Sequence, residues 1–229
     1  MKKSLLIFVL LGCLVLPASS VSAAVPGTLP GFSVFVSSVA DGQAKIVSGV
    51  YVPGTLALRV VQQRGDDPES VLRIRGVATQ FGLAAHNHVI GLLAHDDLAG
   101  AFFSYLEMGQ EVRNVYGDGR VEYYQINRLD RFKAPQPGSQ NGNYVELSSI
   151  ITYTALDFFT MFYNGVAHVS FQTCILHDGK LSWGRSFATV MPVFSINLPN
   201  SQSLAGQTGQ NLIKPANMFH LPFGGMVFG

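Results

Sequence analysis

The sequence predicts a mainly β domain, a closed or nearly closed barrel of about eight strands with two or so short helices in the connections. Three observations predict it. Segments rich in β-branched and aromatic residues recur at short intervals, their apolar and polar positions alternate, and Gly and Asp turns join them. The strand segments are 44–52, 55–62, 70–75, 88–94, 112–116, 121–129, 167–174 and 185–190. Between two of them, Tyr116-Gly117-Asp118-Gly119-Arg120 predicts a tight hairpin, because Asp and Gly tolerate positive φ. Helices are expected over 98–106 and, longer, over 149–163. In the second, Ile150, Tyr153, Thr154, Asp157, Phe158 and Met161 stand at helical spacing.

The ends divide the chain. Met1-Lys2-Lys3 is basic, residues 5–16 are almost wholly apolar, and Val21-Ser22-Ala23 offers small residues to a peptidase, so 1–23 reads as a secretory signal peptide cleaved after Ala23 or Ala24. The apolar run is short for a membrane span of about 20 residues, and an uncleaved anchor is the alternative. Leu10-Leu11-Gly12-Cys13 resembles a lipoprotein processing site, but Cys13 lies within the apolar run. Residues 24–42 carry Pro26, Gly27, Pro30 and Gly31, then Phe32-Ser33-Val34-Phe35-Val36, and read as a linker entering a first strand. The barrel domain is placed at 43–196 and a Gly-, Asn- and Ser-rich extension of unassigned role at 197–229. Residues 135–143 form a polar loop, either an access element beside a rigid barrel or a tolerated surface insertion.

Without Lys2 and Lys3 the chain has 13 basic against 14 acidic residues, a net charge of −1. That balance excludes a general nucleic-acid or anionic-membrane binder, which carries a basic excess. One substantial core is expected at this length. The only cysteine outside the leader is Cys174, so the mature chain forms no internal disulfide.

Cys174 closes the alternating run Ala167-His168-Val169-Ser170-Phe171-Gln172-Thr173, at a strand end facing a groove. A lone cysteine is either a small buried hydrophobe or a reactive thiol. Thiol catalysis needs a thiolate, a proton donor for the leaving amine and a positive group where the oxyanion develops. Of six histidines, His95 in Leu92-Leu93-Ala94-His95-Asp96-Asp97 sits between an apolar strand and a helix, and His88 is the second candidate imidazole. Arg185 begins the strand that returns in a hairpin beside Cys174, where it either faces the sulfur or is a solvated charge. Thr173 and Gln172 flank the thiol as candidate substrate contacts; Thr173 is equally a β-branched strand former. Asp96 and Asp97 cap the next helix or orient His95. His86-Asn87-His88 would put two histidines on one strand face, but lacks the further ligands of a metal site. No Gly-rich phosphate loop stands between a strand and a helix, and no cofactor is implied.

The order His95, Cys174, Arg185 resembles that of the sortases. The family's Thr-Leu-x-Thr-Cys pattern stands here as Ser170-Phe171-Gln172-Thr173-Cys174. Gly91-Leu92-Leu93-Ala94-His95, then Phe102-Phe103, Leu106, Gly109 and Val112, and then Gly119-Arg120-Val121-Glu122-Tyr123-Tyr124 extend the likeness over 79–191. Ser170 and Phe171 depart from the family's Thr and Leu, and the likeness is to a branch outside the well-known Gram-positive classes. It implies a sortase-type barrel, with Cys174 as nucleophile, His95 as general acid and base, and Arg185 as stabiliser of the oxyanion or the substrate backbone. Implied partners are protein substrates bearing a C-terminal sorting motif and an amine acceptor, with no nucleic acid and with membrane attachment only through an uncleaved leader. The implied location is secreted, extracytoplasmic or at the cell surface. Two alternatives stay open: a cysteine peptidase that uses water as acceptor, and a non-catalytic secreted β-barrel binding protein.

Overall fold

A computed structural model of the chain describes residues 29–65, 70–137 and 142–193. The segment 1–23 expected to be a signal peptide, residues 138–141 of the polar loop and the extension expected at 197–229 lie outside the described residues. In chain order the elements are α1 (Phe32–Val39), β1 (Val47–Val52), β2 (Leu56–Gln62), β3 (Val77–Gln80), α2 (Gly82–His86), β4 (Ile90–Ala94), a 3-10 helix (Ala99–Tyr105), β5 (Glu111–Tyr116), β6 (Val121–Lys133), β7 (Tyr144–Glu146), β8 (Thr152–Tyr153), α3 (Ala155–Tyr163), β9 (Val169–His177) and β10 (Lys180–Pro192).

Eight strands close a barrel in the order β10-β9-β4-β3-β2-β1-β5-β6, and β6 returns to β10 to complete the ring. Pairing is parallel at β2–β3 and β4–β9 and antiparallel elsewhere around the ring. Closure removes the free strand edges that would otherwise seek partners. β7 and β8 extend outward from the far end of β6. The barrel interior is filled by inward positions such as Val50, Leu58, Leu92, Phe171 and Val190. At one end of β6, Glu122 accepts hydrogen bonds from the hydroxyls of Tyr116 and Tyr124, each 2.8 Å. Burial opposes ionisation of Glu122, but those two hydroxyls and the Arg120 guanidinium outweigh it and hold the carboxyl below its usual range. The Cys174 end lies at the opposite end of β6.

A second apolar cluster lies outside the barrel, where α3 packs Phe158, Phe162 and Tyr163 onto Phe132 of β6 and Phe187 of β10. Thr154 starts α3 through a capping box: its side chain accepts from Asp157 N at 3.2 Å, and Asp157 accepts from Thr154 N at 3.0 Å. Phe187 is almost wholly buried and stacks on Phe162 with centroids 3.8 Å apart. Phe187→Ala should therefore cost about 3–5 kcal/mol, read as a lowered midpoint in thermal unfolding. An unchanged midpoint would refute this account of the cluster.

Several sequence expectations change. Phe32–Val39 is a helix, not the approach to a strand: Phe35 and Val39, four apart, both bury against Tyr51, Ala57 and Val115. Gly49 makes room for them, since a Cβ there would lie 2.8 Å from the Phe35 ring and 2.9 Å from Val39. Packing on this gap overrides the β preference of the segment. Residues 70–75 form no strand; the pairing segment is Val77–Gln80, hydrogen-bonded to β2 and β4. The helix expected from residue 149 begins at Ala155, because residues 152–153 pair with β7 and the capping box fixes the start. The expected hairpin is present, with Gly119 at φ 85° and Tyr116 N donating to Arg120 O at 2.8 Å. His86 ends α2 and His88 has φ 61°, so these two histidines do not share a strand face. Among the described residues no group of three or more His, Cys, Asp or Glu is arranged to hold a metal ion.

Candidate active site

Cys174 lies within β9, three residues before its end, and is half-buried. Its antiparallel partner on β10 is Arg185, directly opposite. On the other side β9 runs parallel to β4, and Ala94 pairs with Thr173, which puts His95 next along the strand path beside Cys174. Opposed residues share a face and neighbours along a strand alternate. Leu92, Ala94, Phe171 and Ala188 occupy the interior cluster, whereas Leu93 and Phe187 belong to the outer one. Cys174 and Arg185 thus share the outer face, that of α3, and His95 follows directly on the end of β4, next to β9.

The backbone around these residues is tightly held. Thr173 is buried, and its hydroxyl donates to Ala94 O at 2.9 Å, tying β9 to the end of β4. This is a strand-to-strand tie, and Thr173 also lines the cavity beside Cys174. The His95 carbonyl accepts from Leu98 N at 3.0 Å and from Gly100 N at 2.8 Å as the chain turns into the 3-10 helix. A Cβ on Gly100 would lie 2.2 Å from Thr173 Oγ1 and 2.7 Å from the carbonyls of Ala94 and His95, so only glycine fits there.

Both ring nitrogens of His95 are engaged: Nε2 with Val71 O at 3.1 Å and Nδ1 with Arg73 Nη1 at 3.3 Å. With the guanidinium donating to Nδ1, the ring proton sits on Nε2 and goes to the Val71 carbonyl. Arg73 also pairs with Asp97. Neither aspartate caps the 3-10 helix, whose N-cap is Leu98 with no side-chain hydrogen bond. The connection of Asp97 to His95 runs through Arg73. Sequence reasoning passed over Arg73, since its only local feature was a segment resembling a strand.

Arg185 Nη1 donates to its neighbours' carbonyls, Gly184 O at 2.9 Å and Ser182 O at 3.4 Å. Among the described residues no carboxylate pairs with it, so its charge is left uncompensated beside the sulfur. Gln172, two residues before Cys174 on the same face, accepts a hydrogen bond through Oε1 from the Tyr163 hydroxyl. Burial pushes the Tyr163 phenol far up, with the charge of Arg185 opposing it, and the hydroxyl remains a donor. Gln172 is thereby oriented by α3. The hydrogen-bond partner of Cys174 Sγ is Ser182 Oγ, at 3.7 Å.

A cavity of about 420 Å³ opens beside Cys174, lined among others by Asp96, Ser104, Arg131, Thr173 and Ser186. Its volume falls within the usual range for small-molecule and cofactor sites. His95 and Arg185 do not line it, so of these three residues it borders Cys174 alone.

The chain is similar to solved sortases. Sortase E1 from Streptomyces coelicolor, solved with a tripeptide in its active site, is 18% identical over 68% of this chain and 91% of its own, at a TM-score of 0.43. A lid mutant of sortase C1 from Streptococcus agalactiae is 10% identical over 71% and 76%, also at 0.43. Sortase A from Listeria monocytogenes is 13% identical over 65% and 88%, at 0.40. No protein-family model and no curated protein matches the chain. At such identities no residue is assigned a role by likeness, and the chemistry has to be read from the site's own geometry. Among the described residues no helix is long and apolar enough to cross a membrane.

Proposed function

We propose that the chain is a sortase-type cysteine transpeptidase, secreted or displayed at the cell surface. The observation that carries this reading is the arrangement itself, Cys174 directly opposite Arg185 with His95 at the adjoining strand end. The Gln172-Thr173-Cys174 and Gly91-Leu92-Leu93-Ala94-His95 motifs support it from the sequence side, and the leader supports the location.

With its ring turned to the sulfur, His95 takes the Cys174 proton and becomes an imidazolium; the thiolate adds to a backbone carbonyl carbon of a sorting motif, and the carbonyl oxygen takes up the negative charge. Arg185, whose cation no carboxylate neutralises among the described residues, stabilises that oxyanion. The tetrahedral species then expels the amine, which takes a proton from the His95 imidazolium, and a thioester remains on Cys174. An incoming amine loses its proton to His95, attacks the thioester and displaces the thiolate, forming a new amide. In its resting contacts His95 faces Val71 and Arg73, so the ring must turn from them to serve Cys174.

The test is incubation of the protein with a library of short peptides, with and without oligoglycine, followed by mass spectrometry. An acyl adduct on Cys174 and a ligated product with the amine are expected. Hydrolysed product alone would replace transfer by peptidase activity, and no adduct from any peptide would remove the reading. Arg185→Ala should slow adduct formation by on the order of 10²–10³-fold, the usual effect of deleting one oxyanion donor.

A further inference from the structure

We propose that Ser182 is a positioning residue for the Cys174 thiolate, an inference that rests on the reading of Cys174 as nucleophile. Between β9 and β10 the ladder is regular as far as Gly184 opposite Ile175, then slips before it resumes at Lys180 opposite His177. In that slip three residues of β10, 181–183, face the single residue Leu176 of β9. Bulges of this kind re-aim side chains beside active sites. Ser182 at its centre has φ 56°, in the left-handed region that a non-glycine residue rarely adopts without compensation from its surroundings.

The surroundings supply that compensation. Trp183 O accepts from Ala134 N at 2.8 Å, and the Trp183 ring packs on His177 with centroids 4.5 Å apart. Ser182 O accepts from Arg185 Nη1 at 3.4 Å. Held in this way, the Ser182 hydroxyl reaches back across the hairpin to Cys174 Sγ at 3.7 Å. One residue therefore touches both members of the pair: its carbonyl holds the arginine and its hydroxyl faces the sulfur. A hydroxyl donates to a thiolate more strongly than to a thiol, because hydrogen bonds to ionised acceptors are the stronger ones. With both His95 nitrogens engaged elsewhere, Ser182 is the group that orients the sulfur and favours its ionised form before substrate arrives.

Two substitutions in the full chain separate the hydroxyl from the backbone. Ser182→Ala deletes the hydroxyl and leaves the strained φ, whereas Ser182→Gly deletes the hydroxyl and relieves the strain. The readout is the rate at which iodoacetamide alkylates Cys174 across pH, by mass of the peptide containing Cys174, which distinguishes it from Cys13. In that reaction the thiolate displaces iodide and forms a carbon–sulfur bond, so at low pH the rate follows the thiolate fraction. Both variants should react slower than the unmodified chain by on the order of tenfold at about pH 6, the scale of one lost hydrogen bond to a charged group, and the difference should close as the pH is raised. Matching profiles for all three proteins would overturn the proposal while leaving Cys174 as nucleophile. So would a slow Ser182→Ala beside an unchanged Ser182→Gly, which would make backbone conformation the cause. If Cys174 of the unmodified folded chain is inert at every pH, the nucleophile reading fails and the role of Ser182 fails with it.

Discussion

Cys174→Ala should bring adduct formation and ligation down to background, a loss on the order of 10⁶-fold for removal of a covalent nucleophile. The change deletes one sulfur from a half-buried position whose side chain, among the described residues, makes a single, long hydrogen bond to Ser182. The β9 ladder is carried by backbone pairing to β4 and β10 and by the buried Thr173 and Phe171, all of which remain. Thermal unfolding should therefore be nearly unchanged while chemistry disappears. His95→Ala should retain the thiol yet slow turnover by about 10²–10⁴-fold, the range for loss of a general acid and base. The two variants together discriminate between roles. If both still cleave or ligate a peptide that the unmodified chain accepts, the arrangement is not catalytic. If Cys174 resists a thiol-reactive probe in the folded protein, the non-catalytic binding protein becomes the better account.

Gly184→Ala should be the most damaging single methyl in the β10 strand, because it strikes the seam that closes the barrel. A Cβ at this position would lie 2.2 Å from Phe132 O and 3.2 Å from Phe132 C, and 3.3 Å from Ile175 Cδ1. The first two are backbone atoms of the opposing strand, so no rotamer change relieves the overlap; β10 and β6 must part. Gly184 pairs with Lys133 on one side and Ile175 on the other, one residue from the Arg185 pairings with Phe132 and Cys174. Overpacking of this kind costs typically about 1–3 kcal/mol and more when backbone has to move. In a domain of this size each kcal/mol lowers the unfolding midpoint by roughly 2–4 °C. The expected result is a clear drop in midpoint accompanied by slower Cys174 acylation, since Arg185 shifts with its strand. Calorimetry and the peptide adduct assay read the two effects, and an unchanged midpoint would mean that the seam has slack the backbone distances do not show.

Much of the barrel was legible because its longer strands announce themselves by alternation. Seven of the eight ring strands, β1, β2, β4, β5, β6, β9 and β10, overlap segments that alternate or are rich in β-formers. β3 did not, being four residues long and paired on both sides, so that Val77-Ala78-Thr79-Gln80 has little room for a pattern. Phe32–Val39 misled for the opposite reason: its β-branched and aromatic residues suit a strand locally, and only the gap over Gly49 makes a helix the better packing. Among site residues, the motifs singled out Cys174 and His95, and the return of β10 singled out Arg185. Gln172 was named as a substrate contact without its link to Tyr163, and Thr173 without its bond to Ala94, since both partners lie far along the chain or on another element.

What residue order settled is the inventory: a strand-rich chain in which Cys174, the one cysteine after residue 23, is preceded by His95 and followed by Arg185. Strand periodicity and chain order are local properties, and a one-dimensional pattern carries them in full. Tertiary structure decided how that inventory is arranged. It put Cys174 and Arg185 on one outer face with His95 at the adjoining strand end, turned His95 toward Val71 and Arg73, and aimed Ser182 at the sulfur through a bulge. Each of those depends on ladder register and on contacts between segments distant in sequence, where a shift of one residue moves a side chain to the other face of the sheet.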